Sequence, residues 1–132
     1  MPGSRWLTTT VSRVSAFDDA ASEFHRLHAS GCFVMPNPFD AGSARALEQL
    51  GFKALATTSA GLAWTLGRAD NEVTLDESLE HLRVVAGAVK VPVNADFEGG
   101  FAIDPEHVAA NVKLAAATGI AGLSIEDSTG DE

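Results

Sequence analysis

Apolar residues recur at three- and four-residue spacing in four stretches of the chain, with short apolar runs between them and glycine or proline at most of the boundaries. Phe17, Ala20, Ala21, Phe24, Leu27 and His28 mark the first predicted helix, and Gly31 follows as its stop. A short strand is predicted over residues 32–35, broken by Pro36-Asn37-Pro38, and a helix over 43–50 closes at Gly51. Residues 54–57 read as the next strand, leading into a small-residue loop, Thr58-Ser59-Ala60-Gly61. Thr74 and Glu77 form a capping box for a helix that carries Leu79, Leu82, Val85 and Ala86 on one face. Residues 91–100 read as a third strand running into a glycine pair. Asp104 caps a last helix, with Pro105 and Glu106 in its first turn, before a strand over 122–126.

Helices and strands therefore alternate, which implies a parallel sheet with right-handed crossovers. An internal echo supports the phasing. Leu50-Gly51-Phe52-Lys53-Ala54-Leu55 resembles Thr118-Gly119-Ile120-Ala121-Gly122-Leu123, each with a glycine ending a helix and a small-apolar step entering a strand. The first strand is followed by Pro36-Asn37-Pro38-Phe39-Asp40-Ala41-Gly42 rather than a G-x-G-x-x-G turn, and no P-loop is present, which disfavours a dinucleotide fold. Polar residues stand instead at the C-terminal ends of all four predicted strands: Asp40, then Thr58 and Ser59, then Asp96 and Glu98, then Glu126 and Asp127. Barrel enzymes of the (β/α)8 type gather their active sites at that face.

Asp96 and Glu98 are spaced i, i+2, so a continuous strand turns both carboxylates one way and Phe97 the other. Two such charges about 5 Å apart repel by roughly 3 kcal/mol at an effective dielectric near 20. They share a proton, bind a hard cation such as Mg2+, or lie in a solvated acidic loop; the decapeptide alone leaves these open.

Composition narrows the partners. The 132 residues are 45% apolar and 20% charged, the balance of one globular domain, and the net charge of −9 disfavours nucleic acid and anionic membranes. No apolar run is long enough to span a bilayer and no hydrophobic signal core opens the chain, so a cytoplasmic protein is expected. Residues 1–14 read as a loose leader, and the one cysteine, Cys32, reads as a buried structural thiol. A Ser59–His81–Asp96 hydrolase is disfavoured, because no G-x-S-x-G elbow exists and His81 falls mid-helix, as a surface or packing residue.

With these residues placed, the chain resembles the isocitrate lyase/phosphoenolpyruvate mutase superfamily. The matching segments run in order through residues 35–45, 51–61, 67–70, 94–100 and 119–127. The resemblance implies a (β/α)8 TIM-type barrel, of which residues 15–132 supply about the first four βα units after an N-terminal helix. It implies Mg2+, with Mn2+ as an alternative, held by Asp96, Glu98 and Glu126. It also implies substrate contacts from Thr58, Ser59, Ala60 and Gly61, and catalytic roles for Asp70 and Thr58. Taken singly, Thr58 also reads as a strand-end hydroxyl, Asp70 as a capping or solvated acid, and Glu126 as the partner of a basic residue.

The implied activity is metal-dependent carbon–carbon cleavage of 2-oxo or 2-hydroxy acids through an enolate. Phosphoenolpyruvate or phosphonopyruvate mutase chemistry, oxaloacetate hydrolysis, and a non-catalytic assembly module are the alternatives. Two departures stand out. Glu98-Gly99-Gly100 replaces the usual second aspartate and Thr-Gly, and the sequence stops before the gating loop that bears the family's catalytic cysteine. A whole barrel takes about 250 residues. The chain is therefore expected to be a truncated reading frame, to pair with a separate second half, or to associate with its own copies across an apolar inner face. Little turnover by the chain alone is expected.

Overall fold

The computed structural model describes residues 16–127, so the expected leader and the last residues lie outside the described residues. Five helices and three strands follow in the order α1 (Ala16–His28), α2 (Ala41–Gln49), β1 (Leu55–Ala56), α3 (Ser59–Thr65), α4 (Leu75–Ala88), β2 (Val93–Asp96), α5 (Pro105–Ala116) and β3 (Gly122–Ser124). The strands form one parallel sheet in the order β1-β2-β3. Leu55 and Ala56 pair with Val93 and Asn94, and Asn94, Ala95 and Asp96 pair with Gly122, Leu123 and Ser124.

Local chemistry sets the helix boundaries. The Thr74 hydroxyl accepts from the Glu77 N–H while the Glu77 carboxylate reaches back to the Thr74 N–H, closing the expected box at the start of α4. Asp104 caps α5 through the Glu106 and His107 N–H groups, with Pro105 where its missing N–H leaves no bond unmade. Asp40 and Ser43 form a second reciprocal cap on α2. The echoed glycines do the same job twice: Gly51 and Gly119 both turn left-handed, at φ of 94° and 98°, which residues with a Cβ resist.

Alternation along β2 divides the sheet. Val93, Ala95 and Phe97 are buried against the helices: Ala95 and Phe97 pack with Leu79 and Leu82 of α4, Ala115 and Ile120, and Val93 packs with Ala44, Leu55 and Val85. The register puts Ala56, Asn94, Asp96, Gly122 and Ser124 on the opposite face. That inner face is small and polar, which corrects the expected apolar surface; the apolar positions of these strands go to the helix side instead. On the inner side, the ring of Phe24 from α1 approaches Gly122 so closely that a Cβ there would lie 2.7 Å from Cε1.

Three expectations are corrected. Residues 32–35 do not form a ladder strand. The backbone bond to β1 comes just after the segment, from the Ala56 N–H to the Pro36 carbonyl, supplemented by the Asn37 amide on the Ala56 carbonyl; Pro36 and Pro38 themselves have no N–H to offer. Lying at the sheet's edge, the segment leaves Cys32 exposed rather than buried. The loop expected at residues 58–61 is instead the first turn of α3, whose Leu62 and Ala63 pack on Val73. No helix among the described residues is long and apolar enough to cross a membrane.

Candidate functional site

Thr57 and Asp96 tie the C-terminal ends of β1 and β2 together. Thr57 is buried, and its hydroxyl accepts the Asp96 N–H at 3.0 Å. The first residue of α3 then fixes the Asp96 side chain. Ser59 donates both its N–H and its hydroxyl to Asp96 Oδ2, each at 2.8 Å, and among the described residues Oδ1 accepts no hydrogen bond. Charge-assisted bonds of this kind orient a carboxylate firmly.

Beyond Asp96 the strand ends and a turn begins. Phe97 drops into the core, where its ring meets Phe101 edge-on at 5.1 Å. Glu98 is left-handed at φ 47°, a conformation that costs a non-glycine residue on the order of 1–3 kcal/mol. The strand expected to carry both carboxylates is thus corrected: it ends at Asp96, and a turn, not strand alternation, aims Glu98. The turn is pinned to the next segment by the Glu126 N–H, which donates to the Glu98 carbonyl at 2.8 Å. Glu126 therefore leaves β3 directly beside Glu98.

Electrostatics bring a fourth acid into the group. Burial, followed by the charges of Asp70, Asp96 and Glu126, pushes the half-buried Glu98 carboxyl up to about 7. These four side chains come from the ends of two strands, β2 and β3, and from the α3–α4 connection, yet their charges bear on one carboxyl. They are not a closed ligand shell: among the described residues no cluster of three His, Cys, Asp or Glu side chains is arranged to hold a metal ion. The two findings are compatible, since charge acts across several ångströms whereas direct Mg2+ ligation needs oxygens at about 2.1 Å. In donor chemistry the set fits a hard divalent cation that retains much of its water; it does not fit a dry cage.

Thr58 caps α3, its hydroxyl oxygen accepting the Gly61 N–H at 3.1 Å, and among the described residues its own proton goes to no acceptor. Of the four residues expected to meet substrate, Ser59 and Gly61 thus have their N–H groups engaged within the protein. His81 is half-buried in α4, with Nε2 facing no hydrogen-bond partner among the described residues, so no Ser–His–Asp relay is assembled. Burial holds the His81 imidazole below its usual range, opposed by the charge of Asp40. Thr57, Arg68 and Glu77 were not singled out by sequence as parts of this site. The strand-ending threonine and the Glu77 cap were visible, but their reach to Asp96 and to Arg68 comes only with the tertiary fold.

A parallel α/β sheet with carboxylates gathered at its C-terminal edge is the design of a barrel enzyme segment. Residues 24–132 match the family described as phosphoenolpyruvate phosphomutase, and the chain belongs to that family. A provisionally assigned lyase/mutase from Burkholderia cenocepacia superposes with a TM-score of 0.86 at 46% identity, over 88% of this chain and 42% of that one. A 2,3-dimethylmalate lyase of the PEP mutase/isocitrate lyase superfamily superposes at 0.76 and 28% identity, over 90% of this chain and 42% of its own. Oxaloacetate acetylhydrolase superposes at 0.74 and 31%, over 82% and 40%. An uncharacterized protein of Mycobacterium tuberculosis is 34% identical over 110 residues, 83% of this chain. The chain spans 42% of the length of that curated relative. The fold is thus part of a superfamily barrel, and the relatives with named activities are lyases, mutases and a hydrolase.

Proposed function

We propose that this chain carries the enolate-binding part of a Mg2+-dependent carbon–carbon lyase site for 2-oxo or 2-hydroxy carboxylic acids. The observation that supports it most directly is that Ser59 fixes the Asp96 carboxylate and the Glu126 N–H pins the Glu98 carbonyl, while the charges of Asp96 and Glu126 act on the Glu98 carboxyl. Asp96, Glu98 and Glu126 would hold Mg2+, or Mn2+ in its place, largely through water. The ion, when bound, supplies a Lewis acid for negative charge developing on an enolate oxygen. Ser59 orients Asp96, and the Thr58 hydroxyl and the Ala60 N–H would serve as donors for a substrate carboxylate. Asp70 adds charge from the facing loop. The neighbours named for dimethylmalate and oxaloacetate, both small carboxylic acids, agree with that substrate class.

The phosphomutase family description favours phosphoryl mutase chemistry on the same enolate site as the second reading. On this proposal the protein is cytoplasmic and the open sheet edge is closed by further copies or by a second barrel half. Calorimetric titration of the purified chain with MgCl2 tests the site. Binding is expected, and Asp96→Asn is expected to weaken it by roughly tenfold or more. Absence of binding, or equal affinity in Asp96→Asn, would overturn the reading and favour a non-catalytic module.

A further inference from the structure

Asp70 is carried by a turn rather than by a helix or strand, and that turn is tied down on both sides. Arg68 donates from Nη1 to the Glu77 carboxylate at 2.8 Å and to the Glu72 carbonyl at 3.3 Å. The Ala69 N–H donates to the Glu72 carboxylate at 3.0 Å, and the Asn71 N–H closes onto the Asp70 carboxylate at 3.0 Å. Glu77 Oε2 also accepts the N–H and the hydroxyl of Thr74, each at 2.9 Å. A single carboxylate in the first turn of α4 therefore anchors the connection both before and after Asp70.

We infer that Arg68 is a positioning residue: its pairing with Glu77 fixes the α3–α4 connection and with it the place of Asp70. The inference rests on the proposed Mg2+ site and adds to it a residue whose own charge has the wrong sign for a cation. That sign makes the role separable from simple electrostatics. A guanidinium near an anionic cation site weakens Mg2+ binding by charge alone, so its removal would tighten binding. As an anchor, its removal frees Asp70 and loosens binding. An ion pair between two partly exposed side chains contributes little to global stability, so Arg68→Ala is expected to melt close to the wild-type temperature.

The test compares the full chain with Arg68→Ala, Arg68→Lys and Thr74→Ala, by MgCl2 calorimetry, thermal melting and hydrogen exchange without metal. Arg68→Ala is expected to bind Mg2+ roughly three- to tenfold more weakly and to lose exchange protection at Ala69 and Asn71, with Arg68→Lys recovering part of both. Thr74→Ala, which removes the cap hydroxyl but keeps the backbone N–H that donates to Glu77, is expected to lower the melting temperature and to weaken Mg2+ binding less than Arg68→Ala does. Equal or tighter Mg2+ binding by Arg68→Ala, or unchanged exchange in the connection, would overturn the inference. Absence of Mg2+ binding by the wild-type chain would instead overturn the metal-site reading, while metal-free exchange would still decide whether Arg68 anchors the loop.

Discussion

The two sides of β2 are built from adjacent residues to opposite ends. Val93, Ala95 and Phe97 vanish into apolar contact with α4 and α5, whereas Asn94, Asp96 and the turn at Glu98 face a polar side where hydrogen bonds, charge and backbone strain collect. One side lowers the energy of the fold. The other spends some of that stability on an arrangement that is useful only when something binds there. The contrast teaches that the chemistry here is a property of strand ends and turns, laid on a core that would fold without it.

The sharpest way to break that comparison is to exchange the consequences of the two sides. Phe97→Ala removes the largest fully buried side chain among the described residues and is expected to cost about 3–5 kcal/mol, read from the urea midpoint. Leu82→Ala, on the helix packed against it, is expected to cost about 2–5 kcal/mol by the same measurement. Asp96→Asn, one residue from Phe97, is expected to change stability by only about 1 kcal/mol, because one amide oxygen still accepts from Ser59. A loss as large as that of Phe97→Ala would show that the polar side is structural after all. Glu98→Gly relieves the left-handed backbone and is expected to raise stability by roughly 0.5–1 kcal/mol while weakening Mg2+ binding. A fall in its melting temperature would remove the case for stored strain.

The smallest expected effect is on pH, and it lies outside both faces. The Arg68 hydrogen bond, then those from Thr74, hold the Glu77 carboxyl down at about 2, below its ordinary 4.5. A carboxyl depressed by folding stabilises the fold fully above the unfolded value and loses that contribution as pH falls through the folded one. Melting temperature should therefore decline between pH 4.5 and about 2. Glu77→Gln should flatten that part of the profile relative to wild type.

Much of this fold was legible because its helices announce themselves locally. Thr74 with Glu77, Asp104 with Pro105, and the paired glycines at 51 and 119 carry their own hydrogen-bonding and backbone logic, which needs no distant partner. The misread parts depend on neighbours. Residues 32–35 are apolar enough for a strand, but two following prolines interrupt the ladder, and Cys32 is exposed. The short α3 hides behind Ser59-Ala60-Gly61, small residues that read as a loop until Leu62 and Ala63 find Val73. For the site, the i, i+2 carboxylates were visible. The left-handed turn that aims Glu98, and the commitment of Ser59 to Asp96, are set by how three segments meet.

The meeting of Phe24 with Gly122 carries a consequence for assembly order. The seat for that aromatic ring is shared between a side chain of β2, Asn94, and the bare backbone of β3, so it does not exist until those two strands lie side by side. Helix α1, although earlier in the chain than both strands, cannot seat that ring until β3 lies beside β2, and a single methyl group added at Gly122 would collide with it.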